Sequence, residues 1–258
     1  MMVVEYAKEG SLRKMLDKDY KGLSWEKKLV NLLYIVNGLS EIHKEGLVHK
    51  DFHSGNIVMN KTSTFYISYI TDFGLCKPIS QDLSQETKSK EVYGVLPYVA
   101  PEVLKGKEYT QESDVYSFGI IMMEVLTGYP PYHNIPHDQD LAMLICQGLR
   151  PKIRRQIPRL LLDLINKCLD AEPINRISAE ELKNILEQYY KDVLNRKDGS
   201  EIYEQIKLIE ASTRNSPSYD PNESTRFSYT THSEAVYTSR LLDFANLPNP
   251  INATAAGN

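Results

Sequence analysis

The chain has 258 residues, of which 41% are apolar and 25% charged, and a net charge of −4. That is enough to bury one good core and leave room for a second small unit, and it gives no reason to expect nucleic acid or an anionic membrane as partner. Cys76, Cys146 and Cys168 lie far apart and form neither a metal-ligand spacing nor a disulfide framework. Residues 1–10 carry only a short apolar run, unlike a signal peptide, and no stretch approaches the roughly eighteen apolar residues of a membrane span. A soluble cytoplasmic protein is the expectation.

In chain order, Ser11 is placed to cap a short helix over residues 11–18, with Leu12, Met15 and Leu16 on one face. Ser24 opens a longer helix. Leu29, Leu32, Leu33, Val36 and Leu39 recur there at steps of three and four, and Gly46 ends it. Two strands are expected at 57–59 and 66–70, around a polar connection. Residues 77–93 are polar and aperiodic, which reads as a long, functional loop. A helix over 115–127 is apolar nearly all round and should be buried, with Met122 and Met123 as core filler and Gly128 as its stop. Helices at 141–146, 160–169 and 179–190 follow, the last opened by a capping box from Ser178 to Glu181. Beyond Asn195 the composition changes. One more short helix fits residues 200–211. Residues 212–258, rich in Ser, Thr, Asn and Pro, are expected to be largely disordered, apart from an island at 236–244 apolar enough to dock.

The chemistry is concentrated in a few motifs. His49-Lys50-Asp51 is followed five residues after the aspartate by Asn56, and sixteen residues later by Asp72-Phe73-Gly74. Ala100-Pro101-Glu102 and Asp114-Val115-Tyr116-Ser117-Phe118-Gly119 come next. With these motifs the stretch from about residue 3 to 194 resembles the carboxyl-terminal lobe of a eukaryotic protein kinase, closest to the tyrosine-kinase-like group of Ser/Thr kinases. The resemblance implies a protein-kinase-like α+β fold, here the mainly α-helical large lobe with a few short strands. It implies ATP and Mg2+ as cofactors and a protein as substrate.

The same resemblance implies roles. Asp51 is the catalytic base, and Asn56 and Asp72 are the magnesium ligands. Lys50 stands where the family usually has arginine; it keeps the charge but loses the two-pronged contact to a phosphorylated loop residue such as Ser80, Ser84, Thr87, Ser89 or Tyr93. Residues 4–7 look like the hinge, with Val4 as gatekeeper. The Glu5 carbonyl and the Ala7 amide would meet the adenine edge, Ser11 would lie near the ribose, and Leu12 and Val58 would form the floor under the base. Glu102 and Arg176 are expected to form a buried ion pair, Asp114 to anchor the backbone at His49-Lys50, and His49 to stack with Phe73. His53 replaces the lysine usual in Ser/Thr kinases and Gly94-Val95 the usual Gly-Thr. Residues 96–99 lack the tryptophan of dedicated tyrosine kinases, and residues 51–56 look tyrosine-kinase-like, so Ser/Thr is the favoured acceptor.

The resulting division is a hinge remnant at 1–10, a large lobe at 11–195 and a tail at 196–258. The small lobe, with its glycine-rich loop, strand lysine and helix glutamate, is expected to be absent. Removing even one preorganised donor costs about 10²–10³ in rate, so the chain alone is expected to be inactive. Three readings stay open: a truncated catalytic domain of an active kinase, a kinase-like scaffold or decoy for signalling proteins, and a chain completed by a small lobe from a partner.

Overall fold

The structure is a computed structural model that describes residues 7–63, 65–78, 91–214 and 229–253. Glu5, the rest of the hinge before Ala7, and Ser80, Ser84, Thr87 and Ser89 lie outside the described residues.

Two helices organise the lobe. Helix α1 (Leu12–Asp19) is capped by the Ser11 side chain, and α2 (Trp25–Lys44) by that of Ser24, as the sequence implies. Two short strands, β1 (Leu47–Val48) and β2 (Ile57–Lys61), bracket the motif-bearing loop, and β3 (Tyr66–Ile70) and β4 (Lys77–Pro78) follow. β5 (Val92–Gly94) and the short helix α3 (Pro101–Leu104) lead into α4 (Gln111–Thr127). Helix α4 starts four residues earlier than its apolar pattern suggests. Its first turn is polar, and Thr110 and Ser113 close a capping box that periodicity cannot reveal. It ends at Gly128, φ 83°, where a Cβ would come within 2.8 Å of the Tyr20 ring, so only glycine fits.

Around α4 the remaining helices are α5 (Gln139–Cys146), α6 (Arg159–Cys168), α7 (Ala179–Leu194) and α8 (Glu201–Arg214). α2 packs on α7 and β3, and α4 on α6, which places one continuous apolar core between them. The strands form three two-stranded antiparallel ladders, β1 with β4, β2 with β3 and β5 with a late strand, β6 (Arg240–Leu242). No helix among the described residues is long and apolar enough to cross a membrane.

The late strand lies in the island at 236–244 that the sequence marks as apolar enough to dock, and the attachment extends beyond it, over residues 229–253, where a largely disordered tail is expected. Residues 229–253 lie on the lobe, with Leu242 buried in the core and Tyr237, Phe244 and Leu247 packed against it. Composition alone misses the segments flanking the island, because few of their residues need burying. Backbone pairing with β5 supplies much of the attachment.

The expected ion pair is present. Arg176 donates to both carboxylate oxygens of Glu102 at 2.7 Å, and its other donors reach the carbonyls of Asp170 and Glu112. Glu102 is 3% and Arg176 7% exposed, so each charge depends on the other for its solvation. Glu102→Ala or Arg176→Ala should each lower unfolding free energy by about 3–5 kcal/mol, with the double variant costing less than the sum. Urea unfolding of the four proteins measures this; two small, additive losses would contradict it.

Candidate active site

The site grows from the β2–β3 hairpin. Because Ile57 pairs with Ile70, the residues just outside the ladder, Asn56 and Thr71, face each other. The Thr71 amide donates to the Asn56 carbonyl at 2.9 Å and the Thr71 hydroxyl to the same oxygen at 3.0 Å. That contact holds Asp72 beside the loop that carries Asp51. Asp72 has a left-handed backbone, φ 61°, which an aspartate tolerates better than most residues, and its carboxylate is exposed.

Asp51 is 7% exposed, and its two oxygens differ. Oδ2 accepts from the Asn56 side-chain amide at 3.2 Å, and that amide also donates to the Asp51 carbonyl at 2.9 Å. Oδ1 is buried without a partner at hydrogen-bonding distance. His53 faces it, with Nε2 3.6 Å away. His53 Nδ1 accepts the Gly55 amide at 3.1 Å, so the ring proton sits on Nε2 and points at Asp51. Burial pushes the Asp51 carboxyl up, but the facing His53, with Ser239 and Asn56, outweighs it and leaves the group below the usual carboxylate range. Asp51 is thus a buried, ionised acceptor with one oxygen waiting for a donor.

The cation question is answered by donor chemistry. Among the described residues no three His, Cys, Asp or Glu side chains gather. Asn56 spends its amide nitrogen on Asp51, which leaves its carbonyl oxygen available. Among the described residues the Asp72 carboxylate accepts only the Gly74 amide, at a long 3.4 Å. Two hard oxygen donors are too few to cage an ion but suit Mg2+ that keeps water and shares phosphate oxygens. The residues present therefore fit the ion expected.

Lys50 lines the same small crevice as Asp51, His53, Tyr98 and Tyr109. Its backbone is left-handed, φ 73°, and its amide donates to Asp114 Oδ1 at 3.1 Å; the His49 amide donates to Asp114 Oδ2 at 2.8 Å. Burial and the neighbouring Lys77 lower the Lys50 pKa. The expected ring contact is present, with His49 and Phe73 centroids 5.6 Å apart.

The nucleotide-side residues fare less evenly. Ala7 accepts the Gly10 amide at 3.2 Å, and the Ser11 hydroxyl is used to cap α1. Ser11 bridges Val58, which is half-buried, so these two residues are brought together. Leu12 requires correction: it is 0% exposed and belongs to the core, so it offers no surface to a base. A leucine on the inner face of α1, one residue after its cap, is drawn into the core on which the helix seats.

Sequence reasoning also missed a buried polar network under the loop. Glu124 of α4 accepts from Ser54 at 3.0 Å, Tyr98 at 2.7 Å and Arg13 at 2.6 Å. It locks the loop, the segment after β5 and α1 to one carboxylate. The signal was available, since an acid in an otherwise apolar helix needs partners.

Comparison with known proteins agrees with this geometry. The family model described as protein tyrosine and serine/threonine kinase matches residues 1–186. The chain is 34% identical over 212 residues to the probable serine/threonine-protein kinase roco8 of Dictyostelium discoideum, covering 76% of this chain and 11% of that protein. It is 28% identical over 195 residues to the serine/threonine-protein kinase STY17 of Arabidopsis thaliana, covering 74% and 32%. A protein kinase and PP2C-like domain-containing protein of the same plant is 28% identical over 229 residues, covering 77% and 34%. The chain thus spans about a third or less of the length of these relatives.

Gly55 gives the site its sharpest test. A Cβ there would lie 2.6 Å from the His53 ring. Gly55→Ala should push the imidazole off Asp51, and the Asp51 carboxyl should titrate closer to the ordinary carboxylate value of about 3.9. Carbon-13 NMR titration of Asp51 reads the change; an unmoved value would show that His53 does not hold the carboxyl down.

Proposed function

This chain belongs to the protein tyrosine and serine/threonine kinase family, and we propose that it transfers the γ-phosphoryl group of ATP to a serine or threonine hydroxyl of a protein. One observation carries the reading. Asp51 is a buried, ionised carboxylate with an unpaired oxygen, tied through Asn56 and Thr71 to Asp72. In phosphoryl transfer the protein does little covalent work; it orients reactants and neutralises charge. Asp51 Oδ1 orients the acceptor hydroxyl and takes its proton. Asn56 and Asp72 would hold the magnesium, which when bound neutralises the phosphate charge. Lys50 adds positive charge at the rim of the crevice, and Val58 with Ser11 lies on the side assigned to the nucleoside.

The choice of Ser/Thr over Tyr rests on the loop from Asp51 to Asn56 and on relatives whose names place them among serine/threonine kinases. No Gly-x-Gly occurs in the 258 residues. The donors that close over a triphosphate therefore come from a segment outside them or from a partner, and these residues alone are slow catalysts. A silent scaffold is the alternative, but it would gain nothing from Asn56 and Asp72.

Calorimetric titration should show nucleotide binding that depends on Mg2+ and weakens at least about tenfold in Asp72→Ala, while Asp51→Asn leaves it within about twofold. Joined to a nucleotide-covering lobe, the chain should phosphorylate a protein acceptor, and Asp51→Asn should cut that rate by about 10²–10⁴. Mg2+-independent binding, or turnover that survives Asp51→Asn, would overturn the assignment.

A further inference from the structure

The end of α4, the loop after it and the segment after α5 enclose a cavity of about 270 Å³ that shares no residue with the crevice around Asp51. Its inner side is made by Met123 and Thr127, both buried, and its mouth by Leu144, 42% exposed, with Ile135 and Leu149 between. Three buried prolines, Pro130, Pro131 and Pro151, stiffen the walls and bring no amide donor.

The polar side chains of the wall are already engaged. The Thr127 hydroxyl donates to the Met123 carbonyl at 2.7 Å, and the Tyr132 hydroxyl to the Leu149 carbonyl at 2.9 Å. Glu124, the carboxylate in the wall, is held by Arg13, Ser54 and Tyr98. An occupant therefore meets apolar surface inside. Among the described residues, the charges left open around the cavity are positive. Lys152 and Arg154 are exposed at the mouth and neither pairs with a carboxylate; Arg154 lies 5.7 Å over the Tyr129 ring, which keeps its guanidinium at the rim. Arg150 is 5% exposed and gives its terminal nitrogens to the carbonyls of Ile145, Leu149 and Leu169, and its buried Nε has no partner.

The sequence at the mouth carries the same asymmetry. Residues 141–162 hold five Lys or Arg and no Asp or Glu, in a chain with 34 acids against 30 bases. Arg159 is tied to Asp163 at 2.9 Å, and Arg155 lies over the Tyr20 and Tyr129 rings. Lys152 and Arg154 thus set up a positive field beside an apolar hole, which attracts a partner of opposite charge.

From this arrangement we propose that the cavity is a docking site for an acidic protein segment, which inserts one large apolar side chain while its flanking carboxylates pair with Lys152 and Arg154. Size favours a segment over a free small molecule. A cavity of 270 Å³ falls below the roughly 300–1,000 Å³ of sites for drug-sized ligands, but it accepts one leucine or phenylalanine side chain, the kind of buried anchor on which interfaces depend. Docking here is independent of phosphoryl transfer at Asp51.

The test uses the full chain and a fluorescein-labelled heptapeptide with phenylalanine at its centre and glutamate at the other six positions, followed by fluorescence anisotropy at low salt. The wild type should bind it with a Kd of about 0.1 mM or tighter. A peptide with alanine at the centre should bind at least about tenfold more weakly, and one with lysine in place of glutamate should not bind. Lys152→Glu with Arg154→Glu should weaken binding at least about tenfold, and Leu144→Trp, which narrows the mouth, at least about fivefold. These three side chains are exposed, so the lobe stays folded, as far-ultraviolet dichroism checks. Asp51→Asn should leave the affinity within about twofold, which separates this site from the kinase reading. Equal affinity for the phenylalanine and alanine peptides would leave only charge attraction and overturn the proposal. So would affinity untouched by the paired charge reversal, or no binding at all. Sedimentation with vesicles of phosphatidylcholine and phosphatidylserine covers the other anionic partner. A chain that ignores the peptide but binds these vesicles through Lys152 and Arg154 would assign the patch to a membrane surface and overturn the proposal.

Discussion

The Asp114 carboxylate holds the site in shape. It accepts the amides of His49 and Lys50 and lies 3.0 Å from His43 Nε2, so it joins α2, α4 and the loop before Asp51 at a single point. Lys50 needs that clamp because its backbone is left-handed, which costs a non-glycine residue about 1–2 kcal/mol. Two hydrogen bonds from amides to a buried carboxylate contribute about 1.5–3 kcal/mol each, so the clamp outweighs the strain. Without it, the turn that aims Asp51 inward would have no reason to persist.

A second buried acid does the same for the other side of the loop. Glu124 fixes Ser54 and Tyr98, and the Tyr98 ring packs 5.8 Å from His53, the residue that faces Asp51. The two carboxylates on α4 thus bracket the loop, one through backbone amides and one through hydroxyls. Burying them is expensive, and it is tolerable only because each is nearly saturated with donors. Asp51 is the exception in the group. Its unpartnered oxygen is where the proposed proton transfer is placed.

Much of this was legible in the sequence because the decisive residues are close along the chain. Asp51, Asn56 and Asp72 fall within 22 residues, spaced so that one hairpin brings them together, and capping residues such as Ser11, Ser24 and Ser178 marked their helices. The Glu102–Arg176 pair, 74 positions apart, came through the family motif rather than through any local signal. What was not legible depends on long-range packing. The pairings of β1 with β4 and β5 with β6 involve two or three residues, too few to show a period. The polar composition of residues 229–253 hid how far the attachment extends beyond the island at 236–244, although that island holds the buried leucine that anchors them. The burial of Leu12 follows from how α1 seats on the core, which spacing alone does not decide between core and ligand floor.

The central claim is that Asn56 and Asp72 hold a divalent cation shared with a nucleotide, beside Asp51. Paramagnetic broadening tests it most directly, by adding Mn2+ with ADP to the isotopically labelled chain and following residue-specific amide signals. The account predicts selective loss of the signals of Asn56, Asp72 and their immediate neighbours, with Glu102 and Arg176 untouched. Broadening centred elsewhere, or none at cation and nucleotide concentrations in the millimolar range, would contradict it.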